Sequence, residues 1–323
     1  MGVSVKHSSS PVLGEGSALV KPPKQGLAAY VAIARPNYWL RNLFLVPGAL
    51  VAAVIARANP GELFVPLLLA LVSACLIASA NYTINEWLDA EFDRFHPVKQ
   101  YRPAIAGNLK APLVYGQYLL LLLAGLGLAA LLSPYFLLAT ASLAVMGFLY
   151  NVKPFRTKER VYLDVLSESI NNPIRLLMGW FVVTSAVLPP VSLLVGYWMV
   201  GAFLMTIKRY AELRFIADKE RAGLYRRSFR FYSEQTLLTS AILYGTCAAG
   251  LLSAFAAGFH PALLLSLPLW SLLLAWYVFI GMKPDSPTQH PENLIRERGF
   301  TAYLLLLLLA TPLLLLVDLP WLR

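Results

Sequence analysis

Charge is scarce in this chain. Only 14% of its 323 residues are Asp, Glu, Lys or Arg, against ~25% in an ordinary soluble domain. With 58% apolar or aromatic residues, that scarcity excludes a soluble globule and a disordered chain. Cysteine is nearly absent. Cys75 and Cys247 both lie inside apolar runs, which excludes a disulfide scaffold and leaves two small buried hydrophobes rather than a redox or metal pair. No Ser-His-Asp arrangement, zinc-ligand spacing or Walker loop occurs. His96 is the only one of the four histidines near the polar clusters described below. Residues 1–28 lack an apolar core long enough for a signal peptide, and their Lys, Ser, Pro and Gly predict a disordered cytoplasmic tail.

Long apolar runs are abundant. A membrane helix needs ~20 mostly apolar residues, and nine runs qualify: 36–57, 63–85, 112–132, 134–151, 162–184, 190–213, 236–257, 261–281 and 299–317. Turn chemistry separates them at Asn59-Pro60-Gly61, Ser133-Pro134, Pro189-Pro190 and Pro284-Asp285-Ser286-Pro287. No stretch between spans approaches the size of a soluble domain. The expected fold is therefore an all-α, polytopic bundle of nine transmembrane helices. The formal net charge of +10 then follows from topology. Nearly all Lys and Arg fall in 1–42, 94–110, 153–160, 208–230 and 282–298, which are alternate connections on one side of the membrane. Positive loops stay in the cytoplasm, so the N-terminus is predicted inside and the C-terminus outside. A nucleic-acid partner loses its main support.

Topology does not account for the ionisable groups within spans, which are costly and usually mark a site. Asn85, Asp89 and Asp93, at the inner end of span 2, are spaced i, i+4, i+8 and share one helical face. Oxygen ligands stacked this way suit Mg²⁺, which takes one or two carboxylates plus substrate phosphate oxygens. The bland alternative is a solvated helix end, but two carboxylates on one face repel unless a cation sits there. Lys99 and Arg102 follow in a Pro-bracketed loop and can hold phosphate oxygens. In span 5, Asp164, Glu168, Asn171, Asn172 and Arg175 fall within a sector of about 100°, a polar stripe that either forms an internal ion network or faces a cavity. Lys208, Arg209 and Glu212 end span 6. Snorkelling to the interface explains Arg214 better than Lys208, which lies a turn deeper. Arg41-Asn42 and Tyr150-Asn151-Val152-Lys153 are weaker candidates of the same kind. All these clusters sit at the predicted cytoplasmic ends of spans. Acidic groups for a divalent metal beside a dense set of cations are what a di- or polyphosphate substrate requires.

The run Asn85-x-x-x-Asp89-x-x-x-Asp93 ending an early span of a nine-span chain resembles the UbiA superfamily of intramembrane prenyltransferases. His96-Pro97-x-Lys99-x-x-Arg102-Pro103 and Lys208-Arg209-Tyr210-Ala211-Glu212-Leu213 look most like its decaprenyl-phosphate phosphoribosyltransferase branch. The resemblance covers about 30–317 and implies a single transferase domain over 29–323 with a cytoplasm-facing cavity in a bacterial cell membrane. It implies Mg²⁺-dependent transfer of 5-phosphoribose from phosphoribosyl pyrophosphate to a polyprenyl phosphate, a step toward cell-wall arabinan precursors. Asn85, Asp89 and Asp93 would hold the metal, with Asp89, Asp93, Lys208 and Glu212 catalytic. Arg41, Lys99, Arg102, Lys153, Arg175 and Arg209 would bind phosphates. Relatives with aromatic acceptors carry a second Asp-rich motif where Lys208 and Arg209 stand, and an acceptor that is itself a phosphate makes fixed cations the expected exchange.

Three features depart from the branch: Glu86 in place of the usual Asp, a longer link from Tyr150 to Asp164, and the acidity of span 5. Asp164, Glu168 and Asn172 could form a second acidic site. They would return the chain toward a prenyltransferase or terpene cyclase that ionises a polyprenyl diphosphate. A transporter is a third reading. It would be expected to show inverted repeats and midplane charges, whereas no repeat is evident and the charges collect at one side.

Overall fold

The computed structural model describes residues 25–107, 109–289 and 291–317. Most of the tail expected over 1–28 lies outside these residues. Among the described residues every regular element is helical: α1 (Leu27–Ile33), α2 (Val46–Ala56), α3 (Pro60–Asp93), α4 (Pro103–Ala106), α5 (Ala111–Ala130), α6 (Pro134–Asn151), α7 (Leu163–Ser169), α8 (Asn171–Val183), α9 (Val191–Ile216), α10 (Lys219–Tyr225), α11 (Glu234–Phe259), α12 (Leu267–Gly281) and α13 (Arg298–Leu313). Among the described residues eight helical segments are long and apolar enough to cross a membrane: 27–56, 60–93, 111–130, 134–151, 191–216, 234–259, 261–281 and 298–316. The chain is a multi-pass membrane protein.

Two spans differ from expectation. The first is not one regular helix, because Arg35 adopts a left-handed conformation (φ 50°) before Pro36. A residue preceding proline is driven out of the α region, so α1 stops and a 3₁₀ segment, Pro36–Leu45, leads into α2. The fifth, expected over 162–184, is divided at Ile170 into α7 and α8. Pro173 has no N–H to return to the Ser169 carbonyl, and the ladder breaks there. By contrast, α3 runs unbroken for 34 residues, well past the apolar stretch. Asn59 caps it by accepting the Gly61 N–H at 3.1 Å, and Pro60 takes the first position, where no donor is needed.

Apolar packing forms two main centres. One joins Leu45, Ala74, Ile77, Phe136, Leu143 and Met178, from α3, α5, α6, α8 and the 3₁₀ segment. The other joins Val165, Phe203, Ile207, Tyr244, Leu273, Tyr277 and Phe300 around α9, α11, α12 and α13. Buried aromatic side chains of the 217–233 link, Tyr225, Phe229 and Tyr232, pack with Tyr210 and Phe95 as a cap over one end of the bundle. Arg221 ties that cap to the 94–102 loop by donating to the Phe95 carbonyl at 2.7 Å.

Helices α2 and α8 approach backbone to backbone. A Cβ on Gly48 would lie 2.0 Å from the Leu176 carbonyl oxygen, and one on Gly179 would lie 1.9 Å from that of Leu45. Small residues permit such crossings in membranes, where packing rather than water exclusion joins helices. Gly179→Ala should therefore force the pair apart and destabilise the fold by about 1–3 kcal/mol, the usual cost of overpacking. The check is the Tm of the purified variant in detergent; an unchanged value would show that the crossing is not tight.

Candidate active site

A cavity of about 120 Å³ opens at the end of the bundle where α3 and α6 finish, α7 and α8 meet, and α9 ends. Because α3 stays helical to Asp93, Asn85, Asp89 and Asp93 do share one face, and all three line the cavity. Asp89 is held from two sides. Its Oδ1 faces Arg156 Nη2 at 2.9 Å and Lys158 Nζ at 2.5 Å, while its Oδ2 accepts from Asn85 Nδ2 at 3.1 Å. Asp93 is paired with Arg102. Lys99 reaches across to Glu212 and the Tyr225 hydroxyl. Arg209 Nη1 donates to Glu212 at 3.0 Å and its Nη2 to the Tyr150 hydroxyl at 3.0 Å.

Burial and pairing pull the loop cations in opposite directions. Burial lowers Lys158 to about 8, although Asp89 opposes the shift. Burial likewise lowers Lys99 against the pull of Glu212. For Arg102 the balance is reversed: burial works downward, but Asp93 and Glu86 outweigh it and hold the group above its ordinary value.

Arg41, Lys99, Arg102, Arg175, Lys208 and Arg209 all line the cavity, as does Glu168. Four expected site residues do not. Lys153 is exposed on the 152–162 loop, whose backbone carries Arg156 and Lys158 inward in its place. Glu212 is 2% exposed, covered by Lys99, Arg209 and Tyr225. It is the counter-ion of those cations rather than part of the wall. Asp164 is fully buried, accepting from Tyr232 at 2.6 Å and Ser228 at 3.0 Å; it anchors the aromatic cap. Asn172 turns toward α9, where a Cβ on Gly201 would meet its Nδ2 at 2.1 Å. The acidic set Asp164, Glu168 and Asn172 thus contributes only Glu168 to the cavity. Glu86 also leaves the row and pairs with Arg35 at 2.6 Å.

Sequence reasoning missed Arg35, Arg156, Lys158 and Arg226. The cationic run 153–160 was visible, but a loop has no periodicity to say which of its side chains turn inward. The completed wall carries eight Lys or Arg side chains against three carboxylates, Asp89, Asp93 and Glu168. Among the described residues no three His, Cys, Asp or Glu side chains converge as a ready metal cage. Two carboxylates one turn apart on a cavity wall do fit Mg²⁺ in its usual mode, in which substrate phosphate oxygens and water complete the shell.

A polytopic all-α bundle with this charged cavity is a membrane-embedded transferase when set beside its relatives. The chain matches the profile of the UbiA prenyltransferase family over residues 45–294. It is 30% identical over 235 residues to the decaprenyl-phosphate phosphoribosyltransferase of Mycolicibacterium smegmatis, covering 69% of this chain and 68% of that one. It is equally 30% identical over 230 residues to the nodulation protein NoeC of Azorhizobium caulinodans, covering 70% and 71%. A UbiA homologue from Archaeoglobus fulgidus, solved bound to DMAPP and Mg²⁺, superposes with a TM-score of 0.65 at 20% identity, covering 87% of this chain and 99% of that one. The chain belongs to the UbiA prenyltransferase family.

Proposed function

We propose that the protein transfers 5-phosphoribose from phosphoribosyl pyrophosphate to a polyprenyl phosphate, with Mg²⁺, at the cytoplasmic face of a bacterial membrane. The observation that carries this reading is the excess of eight cations over three carboxylates on the cavity wall. A donor with a pyrophosphate and a 5-phosphate, meeting an acceptor that is itself a phosphate, brings more negative charge than a prenyl diphosphate and a neutral acceptor. Asp89 and Asp93, with Asn85, would hold the metal, which when bound neutralises charge on the leaving pyrophosphate. Lys208 and Arg209 line the cavity from α9, Arg175 from α8 and Arg41 from the 3₁₀ segment. Between them they can fix both phosphorylated partners while the anomeric carbon gains oxocarbenium character. The lipid phosphate is already ionised, so no strong general base is required. Positioning and electrostatics then supply most of the rate. The relative named as a phosphoribosyltransferase supports the assignment.

The broken pair α7–α8, 21 residues from Leu163 to Val183, is long enough to cross a bilayer. Counted with the eight longer segments, it gives nine crossings. With nine crossings, the positive-inside rule supports a cavity facing the cytoplasm and a C-terminus outside.

A second reading, ionisation of a polyprenyl diphosphate, is favoured by one observation: Glu168 adds a third carboxylate to the wall. The two readings separate in one assay. Purified protein in lipid nanodiscs is given phosphoribosyl pyrophosphate with a polyprenyl phosphate, or a polyprenyl diphosphate alone, with and without Mg²⁺. Pyrophosphate release is expected only from the first pair and only with metal. Release only from the diphosphate would replace the first reading by the second.

A further inference from the structure

Cations are the largest charged group on the cavity wall. Its eight Lys and Arg side chains have no acceptor capacity and suit phosphate oxygens. The acceptors are few, and most are engaged: Asp89 by Arg156, Lys158 and Asn85, and Asp93 by Arg102. Two remain. Among the described residues neither a hydrogen bond nor an ion pair reaches the Glu168 carboxylate, which lines the cavity. The Asn171 Oδ1 atom, three residues on, is buried with no hydrogen-bond partner, while its Nδ2 donates to the Glu168 carbonyl at 3.0 Å.

The local fold sets both acceptors on the same wall. The interruption at Ile170 and Pro173 leaves Glu168 near the end of α7 and Asn171 at the start of α8, both facing the cavity, while Asn172 packs toward α9. Arg175, the cation nearest in sequence, lies within electrostatic range of Glu168 but makes no hydrogen bond to it. Its Nε donates to Asn42 Oδ1 at 2.9 Å and its Nη1 to the Asn171 carbonyl at 3.1 Å. Glu168 is half-buried, whereas the Asn171 Oδ1 atom is a buried acceptor left without a donor, which is costly, and phosphate oxygens, being acceptors themselves, cannot relieve it. Hydroxyl groups can. A carboxylate and a neighbouring amide oxygen match a vicinal diol, with charge-assisted O–H···O⁻ bonds among the stronger available.

We infer that Glu168 and Asn171 form a hydroxyl-binding subsite that reads the 2- and 3-hydroxyls of a pentose phosphate, so that the cavity selects a sugar-bearing donor over a prenyl diphosphate, which has no hydroxyl to give. The inference rests on the phosphoribosyl reading of the same cavity and adds the part of the donor that the cations do not recognise. Sites built to bond a hydroxyl reject analogues lacking it strongly, because the protein acceptors are then stranded.

The test is calorimetric binding of ribose 5-phosphate and 2-deoxyribose 5-phosphate to the full chain in nanodiscs, in the absence of divalent metal. Wild type is expected to prefer the ribose compound by about tenfold or more. Glu168→Gln, which is nearly isosteric, should erase most of that preference while leaving the affinity for inorganic pyrophosphate within about twofold. Asn171→Ala should reduce the preference in part, with Tm measured to confirm that both variants fold. An undiminished preference in Glu168→Gln, or an equal change for all three ligands, would overturn the subsite. If wild type turns over phosphoribosyl pyrophosphate and yet shows no preference, the subsite fails alone. If it turns over only a polyprenyl diphosphate, the phosphoribosyl reading fails and the subsite falls with it.

Discussion

Asp89→Asn is expected to lower turnover by at least about 10²-fold, comparable to the loss of a principal electrostatic group in other active sites, with the fold retained. The reasoning starts from what holds Asp89 now. Arg156 and Lys158 both lie against its Oδ1, so deleting the carboxylate outright would strand two buried cations at a cost of about 3–5 kcal/mol. An amide oxygen can still accept from both, which makes Asn the informative replacement and Ala the confounded one. What the amide cannot do is carry the negative charge needed to hold a divalent cation beside a pyrophosphate. Turnover of phosphoribosyl pyrophosphate with a polyprenyl phosphate at saturating Mg²⁺, alongside Tm, checks both halves. Activity retained within tenfold in a folded variant would remove Asp89 from the chemistry.

The second large effect is expected at Lys208, with an opposite signature in stability. Among the described residues no hydrogen bond or ion pair engages its ammonium group, although it shares the wall with Arg41 and Arg209. Holding the Lys208 charge beside these cations costs stability, and the arrangement is useful only if an anion arrives to relieve it. Lys208→Met keeps the apolar stem and removes the charge. It should reduce kcat/KM for the phosphorylated substrates by about 10- to 100-fold, the worth of a charge-assisted contact of 1.5–3 kcal/mol. In the absence of substrate its Tm should hold steady or rise, the usual sign of a group kept for function at the expense of stability. Unchanged kinetics would show that neither substrate reaches α9.

The helical character of the chain and the acidic row were legible in the sequence because each rests on a single periodicity. Asn85, Asp89 and Asp93 needed only an unbroken helix to share a face, and α3 supplies it. The polar stripe of 164–175 was legible as a stripe but not as a surface. A helical wheel assumes one straight axis, whereas Pro173 divides the axis, and the 217–233 link covers its first turn around Asp164. Glu212 was misplaced for a similar reason. It shares a face with Lys208 by spacing, but one turn farther along α9 that face is roofed by Lys99 and Tyr225, which arrive from distant parts of the chain. Arg156 and Lys158 illustrate the remaining limit. Their charge was countable, while their meeting with Asp89 is a tertiary event that no local pattern encodes.

The two oily packing centres on either side of the cavity have a bearing on how such an architecture diversifies. Both are built from apolar and aromatic side chains, so a change at a seam charge that holds no partner in place, such as Lys208, leaves their packing intact. Swapping a lysine for an acid there retunes the chemistry while the scaffold stands, much as a lock can be rekeyed without rebuilding the door.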